Sequence, residues 1–154
     1  MRSACLALIT ALLWTSPVKA ALFDLFRVSP ESVSAKDGLI TLDAAKIAPG
    51  TSRHYRYQEN KTKIRFFVVR DQHNTIRAAL DACEVCKDAG KGYAMKDKAM
   101  FCNNCGRSFA LIRIGAVTGG CNPHPVSFSL DGGTFTITTQ ELVNGAGYFP
   151  ENGR

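Results

Sequence analysis

Short runs in which apolar and polar residues alternate, broken by Gly, Pro, Asn and Asp, dominate the chain from Gly38 onward. A period of two residues predicts strands with one buried face. Leu39 to Leu42 reads as a strand, Asp43 to Ile47 as a single helical turn, and Pro49-Gly50 as a break. From Arg53 to Gln58, Tyr55 and Tyr57 alternate with His54 and Arg56, the pattern of a half-exposed strand. Glu59-Asn60-Lys61 supplies turn residues ahead of Ile64 to Val69. That run, IRFFVV, is dense in aromatic and β-branched residues and is the strongest strand signal in the chain. A turn over Asp71 to Asn74 then predicts an antiparallel return through Thr75 to Leu80, which delivers Asp81 and Cys83 at its end.

Beyond Asp81 the segments shorten. Tyr93 to Met95 and Ala99 to Phe101 flank Lys96-Asp97-Lys98 as a small hairpin, and Phe109 to Ile114 is a further apolar stretch. Val126 to Leu130 and Thr134 to Thr138, joined by Asp131-Gly132-Gly133, form a second hairpin. Thr138 and Glu141 have capping-box spacing, so a short helix starts there and ends at Asn144-Gly145. The expected fold class is mainly β, a small α+β domain of antiparallel hairpins in a meander with zinc-ribbon-like CxxC knuckles. One domain is expected over residues 38–154, preceded over 21–37 by a lead whose SPESVSAK reads as flexible.

Residues 1–20 have the three parts of a secretory signal peptide: Arg2, the apolar run Ala4 to Trp14, and Val18-Lys19-Ala20 as a small-residue cleavage site. The run is too short for a comfortable membrane span, although an uncleaved segment would serve as an anchor. Cys5 would leave with it. Removing Arg2 and Lys19 takes the formal charge of the chain from +6 to +4. The remaining basic residues are scattered, without a run to follow a phosphate backbone, so nucleic acid is not an expected partner.

The chemistry lies in the remaining cysteines, spaced Cys83-x2-Cys86-x15-Cys102-x2-Cys105-x15-Cys121. A CxxC turn places two sulfurs together with backbone amides pointing at them, and two such turns supply four corners of a tetrahedral centre. Export alone would argue for disulfides. An odd number of cysteines cannot all pair, however, and the matched x2 gaps fit a metal centre better. Neither pair is followed by His, which excludes covalent haem attachment, and no βαβ unit surrounds them as a thioredoxin-like motif would need. Zinc and iron–sulfur both accept four thiolates, and spacing does not separate them. Cys121 tilts the reading toward iron–sulfur, because a closed zinc site has no use for a fifth thiolate. As a bland alternative, Cys121 is a small buried hydrophobe. His124, three residues beyond Cys121, is either a further ligand or an ordinary loop histidine. Lys87, Lys91, Arg107 and Arg113 lie near the cysteines in sequence and either offset thiolate charge or form a solvated face. No nucleophile elbow, phosphate loop or paired-carboxylate spacing argues for hydrolysis.

IRFFVV, RAALDACEVC, FCNNCG and GGCNP together make the stretch from Lys63 to Tyr148 resemble the FtrD-like family of membrane iron–sulfur proteins associated with bacterial ferrous-iron uptake. The resemblance implies an iron–sulfur centre on the outer side of the membrane, passing electrons in a periplasmic iron-transport assembly. It implies Cys83, Cys86, Cys102 and Cys105 as ligands, with Cys121 as a further candidate. Its implied partners are an iron permease and a periplasmic iron-binding protein. Many relatives carry a multi-span membrane portion ahead of this domain, whereas here a signal segment stands in that place.

The expectation is therefore a periplasmic electron carrier, not a stand-alone enzyme, associated with the membrane through a partner or an uncleaved signal. A zinc-ribbon-like structural or partner-binding domain is the alternative, and a thiolate chaperone for copper or iron a third reading. No twin-arginine pair precedes the apolar run, which leaves open how an exported chain would acquire a cluster.

Overall fold

The computed structural model describes residues 29–150, so the signal segment and Cys5 lie outside it. Among the described residues, ten strands are arranged in three sheets. The central sheet has the order β1 (Glu31–Val33), β3 (Thr51–Glu59), β4 (Thr62–Arg70), β5 (Ile76–Leu80). β2 (Leu39–Asp43), β10 (Thr134–Thr138) and β9 (Ser129–Asp131) form the second sheet, followed in sequence by the helix α1 (Thr139–Asn144). β6 (Tyr93–Lys96), β7 (Ala99–Cys102) and β8 (Ser108–Ala110) form the third. All pairings are antiparallel except β1 with β3. The fold is thus mainly β with one short helix, as the sequence predicts.

β4 explains the layering. Its side chains alternate between two separate cores: Ile64, Phe66 and Val68 enter one with Ile40, Phe135, Ile137 and Leu142 from the second sheet and α1. Phe67 and Val69 enter the other with Tyr93, Met100 and Cys102 from the third sheet. Over Phe66 to Val69 both faces of the strand are covered, which is why FFVV is a continuous apolar run and not an alternation. Each fully buried Phe contributes about 1.5–3 kcal/mol of transfer free energy. The same sandwiching corrects the half-exposed reading of β3, where His54 and Tyr55 point to opposite faces and are both buried.

Two further differences from the sequence reading have clear causes. Glu31–Val33, expected within a flexible lead, pairs in parallel with Tyr55 to Tyr57 and completes the edge of the central sheet. Its burial pattern is too weak to announce a strand, so pairing and not hydrophobicity defines it. Thr138 does cap α1, accepting from the Glu141 amide at 3.2 Å. The Glu141 carboxylate does not return to close the box; it accepts from the Ser127 amide at 2.7 Å and fixes the approach to β9.

Because Phe66 and Phe67 are neighbours on opposite faces, they report on different halves of the molecule. Phe66→Ala and Phe67→Ala should each lower stability in urea by about 3–5 kcal/mol. Only Phe67→Ala should also reduce the metal the protein retains, measured by elemental analysis after desalting.

Candidate metal centre

The first CxxC turn leaves the central sheet at the end of β5. Beyond Leu80, Asp81 still donates its amide to the Arg65 carbonyl at 2.9 Å. On the other side of β5, the segment 124–126 runs along the open edge: Leu80 N donates to His124 O at 2.8 Å, His124 N to Ala82 O at 3.2 Å, and Val126 N to Ala78 O at 3.3 Å. An isolated bridge pairs Ala79 with Pro125. This strap brings Cys121, just before it, against the first CxxC turn. The second turn grows from the hairpin β6–β7, where Cys102 is the last residue of β7 and lies opposite Tyr93. There Gly106, at φ 73°, donates its amide to the Cys102 carbonyl at 2.9 Å. The left-handed conformation is the reason a glycine follows the second pair.

These three arrivals converge. The sulfurs of Cys83, Cys86 and Cys102 lie within 4.8 Å of one another, and so do those of Cys86, Cys105 and Cys121. Cys86 belongs to both trios. All five are free thiols. Cys83, Cys86 and Cys102 are buried, Cys121 is half-buried and Cys105 is exposed, so the centre has a deep side and a solvent side. Amides of Cys105 and Asn104 donate to Cys102 Sγ, and the Arg107 amide donates to Cys105 Sγ. Burial outweighs those donors at Cys102 and pushes its thiol up to about 12. At Cys105 the Arg107 amide holds the thiol below its ordinary range, while burial and neighbouring sulfur raise Cys121. Each trio consists of sulfur alone, a donor set suited to soft or borderline metals and to iron–sulfur clusters. The residues present therefore fit a thiolate-held centre, and burying thiolates without a cation would be costly.

Several residues that spacing does not reveal hold this arrangement. The Tyr93 hydroxyl donates to the Cys121 carbonyl at 2.7 Å and lies within reach of Cys83 Sγ. Burial, followed by the Cys83 sulfur, raises its pKa. Glu84, inside the first CxxC turn, accepts from the Gly120 amide at 3.0 Å and ties the Cys121 loop to that turn. Asp81 accepts from the Tyr93 amide at 2.6 Å, with Arg65 Nε 3.6 Å from its carboxylate and His54 Nδ1 at 4.0 Å. Burial raises Asp81 to about 7 against the opposing pull of Arg65 and the Tyr93 amide. A Cβ on Gly92, at φ 63°, would collide with this carboxylate. Tyr93 resembles any core aromatic in a strand, and Glu84 and Asp81 resemble surface carboxylates.

The remaining sequence candidates fall into place more simply. His124 belongs to neither trio; its ring lies against Tyr148, with Nδ1 3.0 Å from that hydroxyl. His73 sits exposed in the turn after β4. Lys87 lines the small pocket above Cys83, Cys86 and Cys102, together with Arg65 and Asn104. Lys91, Arg107 and Arg113 are exposed.

Gly92→Ala should disturb Asp81 and the Tyr93 amide it holds, so the variant should fold with at least a several-fold loss of retained metal, measured by elemental analysis beside far-ultraviolet circular dichroism. His54 gives a pH test. Burial, assisted by Arg65, lowers it from 6.5 to about 4. Between those values the unfolded chain binds the proton and the fold does not, so this contribution is present above pH 6.5 and is lost as pH falls toward 4. His54→Gln should lose stability less steeply than wild type over that window, measured by urea unfolding; equal slopes would contradict it.

The family model described as "Membrane iron-sulfur containing protein FtrD-like" matches residues 47–149, more than half of the chain. No curated protein and no solved structure matches it. Among the described residues, no helix is long and apolar enough to cross a membrane. The matched span runs from the turn before β3 to the end of the fold and contains all five converging cysteines. The chain belongs to the FtrD-like family of membrane iron–sulfur proteins.

Proposed function

We propose that this chain is a periplasmic electron carrier in which Cys83, Cys86 and Cys102, with Cys105 or Cys121, hold an iron–sulfur cluster, and that it serves ferrous-iron transport. The observation that carries the reading is the meeting of five thiols in two trios that share Cys86, graded from buried to exposed. An iron–sulfur cluster supplies one-electron redox chemistry when bound. The protein's part is electrostatic: amides directed at sulfur stabilise thiolate, and Lys87 and Arg65 place positive charge beside the deep trio. Burial on one side excludes water, while the exposed Cys105 side gives a partner a short approach. In this proposal an iron permease and a periplasmic iron-binding protein are the functional partners, and the chain carries electrons to or from iron instead of turning over a substrate of its own.

One observation favours a second reading. Two thiolates on a single tetrahedral zinc, with bonds of about 2.3 Å, sit about 3.8 Å apart, and the trios are compact enough for one ion. On that reading the metal substitutes for core and the domain is structural or partner-binding.

The two readings separate on protein purified without oxygen. The full chain should be coloured, contain iron and acid-labile sulfide in equal amounts, and bleach reversibly on reduction. A colourless protein with one zinc and no sulfide would establish the second reading. Cell fractionation of the tagged full chain should recover it from the periplasm or the inner membrane, and recovery from the cytosol would contradict the placement.

A further inference from the structure

An all-cysteine cluster uses four thiolates, yet five converge here. Their arrangement says which are alternatives. Cys83, Cys86 and Cys102 are buried to within 8 % exposure and occupy one trio. Cys105 and Cys121 complete the other trio, each within 4.8 Å of Cys86 and of the other. They therefore approach the same corner of the site from two separate pieces of chain, the knuckle after β7 and the loop before the strap on β5.

Resting on the iron–sulfur reading, we propose that Cys105 and Cys121 are exchangeable fourth ligands, one bound while the other stands by as a spare thiol at the solvent edge.

The Cys121 loop is built for this and is not a passing neighbour. Gly120 is held by the Glu84 carboxylate, the Cys121 carbonyl by the Tyr93 hydroxyl, and Asn122 by the Gly119 carbonyl through both its backbone amide and its side chain. Gly119 and Gly120 both adopt left-handed backbone, at φ 86° and 59°, a bend that L side chains resist. A small hydrophobe filling a gap needs none of these fixtures. Cys105 is held differently, by the Arg107 amide on its sulfur and by the Gly106 turn. Exchange between them moves no electrons: one iron–sulfur bond breaks as another forms, and a proton passes from the incoming thiol to the departing one. Two distinct ligand environments give the same cluster two electronic states, selectable by anything that engages the exposed Cys105 side.

The test uses the full chain, purified without oxygen, as wild type, Cys105→Ser, Cys121→Ser, the double variant, and Cys83→Ser as the reference for a lost ligand. Each single outer variant should keep at least half of the wild-type iron and sulfide and show its own paramagnetic resonance spectrum and midpoint potential. The double variant should fall to the level of Cys83→Ser. In loaded Cys105→Ser, Cys121 should resist alkylation by a maleimide, and in loaded Cys121→Ser, Cys105 should resist it, both located by mass spectrometry. A single outer variant that loses its cluster as fully as Cys83→Ser overturns the proposal, because that thiol is then obligatory. A double variant that keeps the cluster overturns it too, as does alkylation of the remaining outer thiol without loss of iron. Circular dichroism of the metal-free variants identifies any that fail to fold, and the maleimide readout on the surviving single variant then decides. Wild type without iron or sulfide would instead defeat the parent reading.

Discussion

Everything in this molecule depends on burying β4 on both of its faces. A strand with apolar residues on one side needs one covering layer; IRFFVV needs two, and the chain supplies them from different parts of its length. The second sheet and α1 seal one face with conventional aliphatic and aromatic packing. The other face is sealed by the third sheet together with the first CxxC turn, in a buried cluster that includes Cys83, Cys86 and Cys102. The cysteines are thus part of the second core, packed with Phe67 and its neighbours, an arrangement that would couple metal binding to packing.

That coupling resolves an electrostatic problem. Several thiols crowded out of water resist ionisation, as the raised Cys102 shows, and thiolates there repel one another. Amide donors reduce the cost locally, and a cationic centre held by these thiolates would offset the rest. The carboxylate of Asp81 is placed behind the site for structural reasons, holding the Tyr93 amide and facing Arg65 and His54. Its own burial works against its ionisation, while Arg65 and the Tyr93 amide favour the charged form.

Much of this was legible in the sequence, and the remainder was not for identifiable reasons. Turn residues and local apolar patterning located β2, β4, β5, both hairpins and α1, because those signals are local. The cysteine spacing predicts two knuckles, and the structure gathers the five sulfurs into two trios that share Cys86. β1 was missed because three weakly apolar residues become a strand only by pairing with β3. The two-sided burial of His54 and Tyr55 is likewise a tertiary fact, invisible to a period of two. Tyr93 and Glu84 hold the Cys121 loop through contacts separated by 28 and 36 residues, a range over which a single sequence carries no spacing signal.

The strap formed by residues 124–126 has one more consequence. It occupies the backbone donors and acceptors on the open side of β5, a short, almost wholly apolar strand. Uncovered strands of that kind are templates for joining other chains. The loop that presents a sulfur at one end therefore also acts, at the other, as a guard against edge-to-edge assembly. Whatever peels it away would open that edge to pairing with other chains.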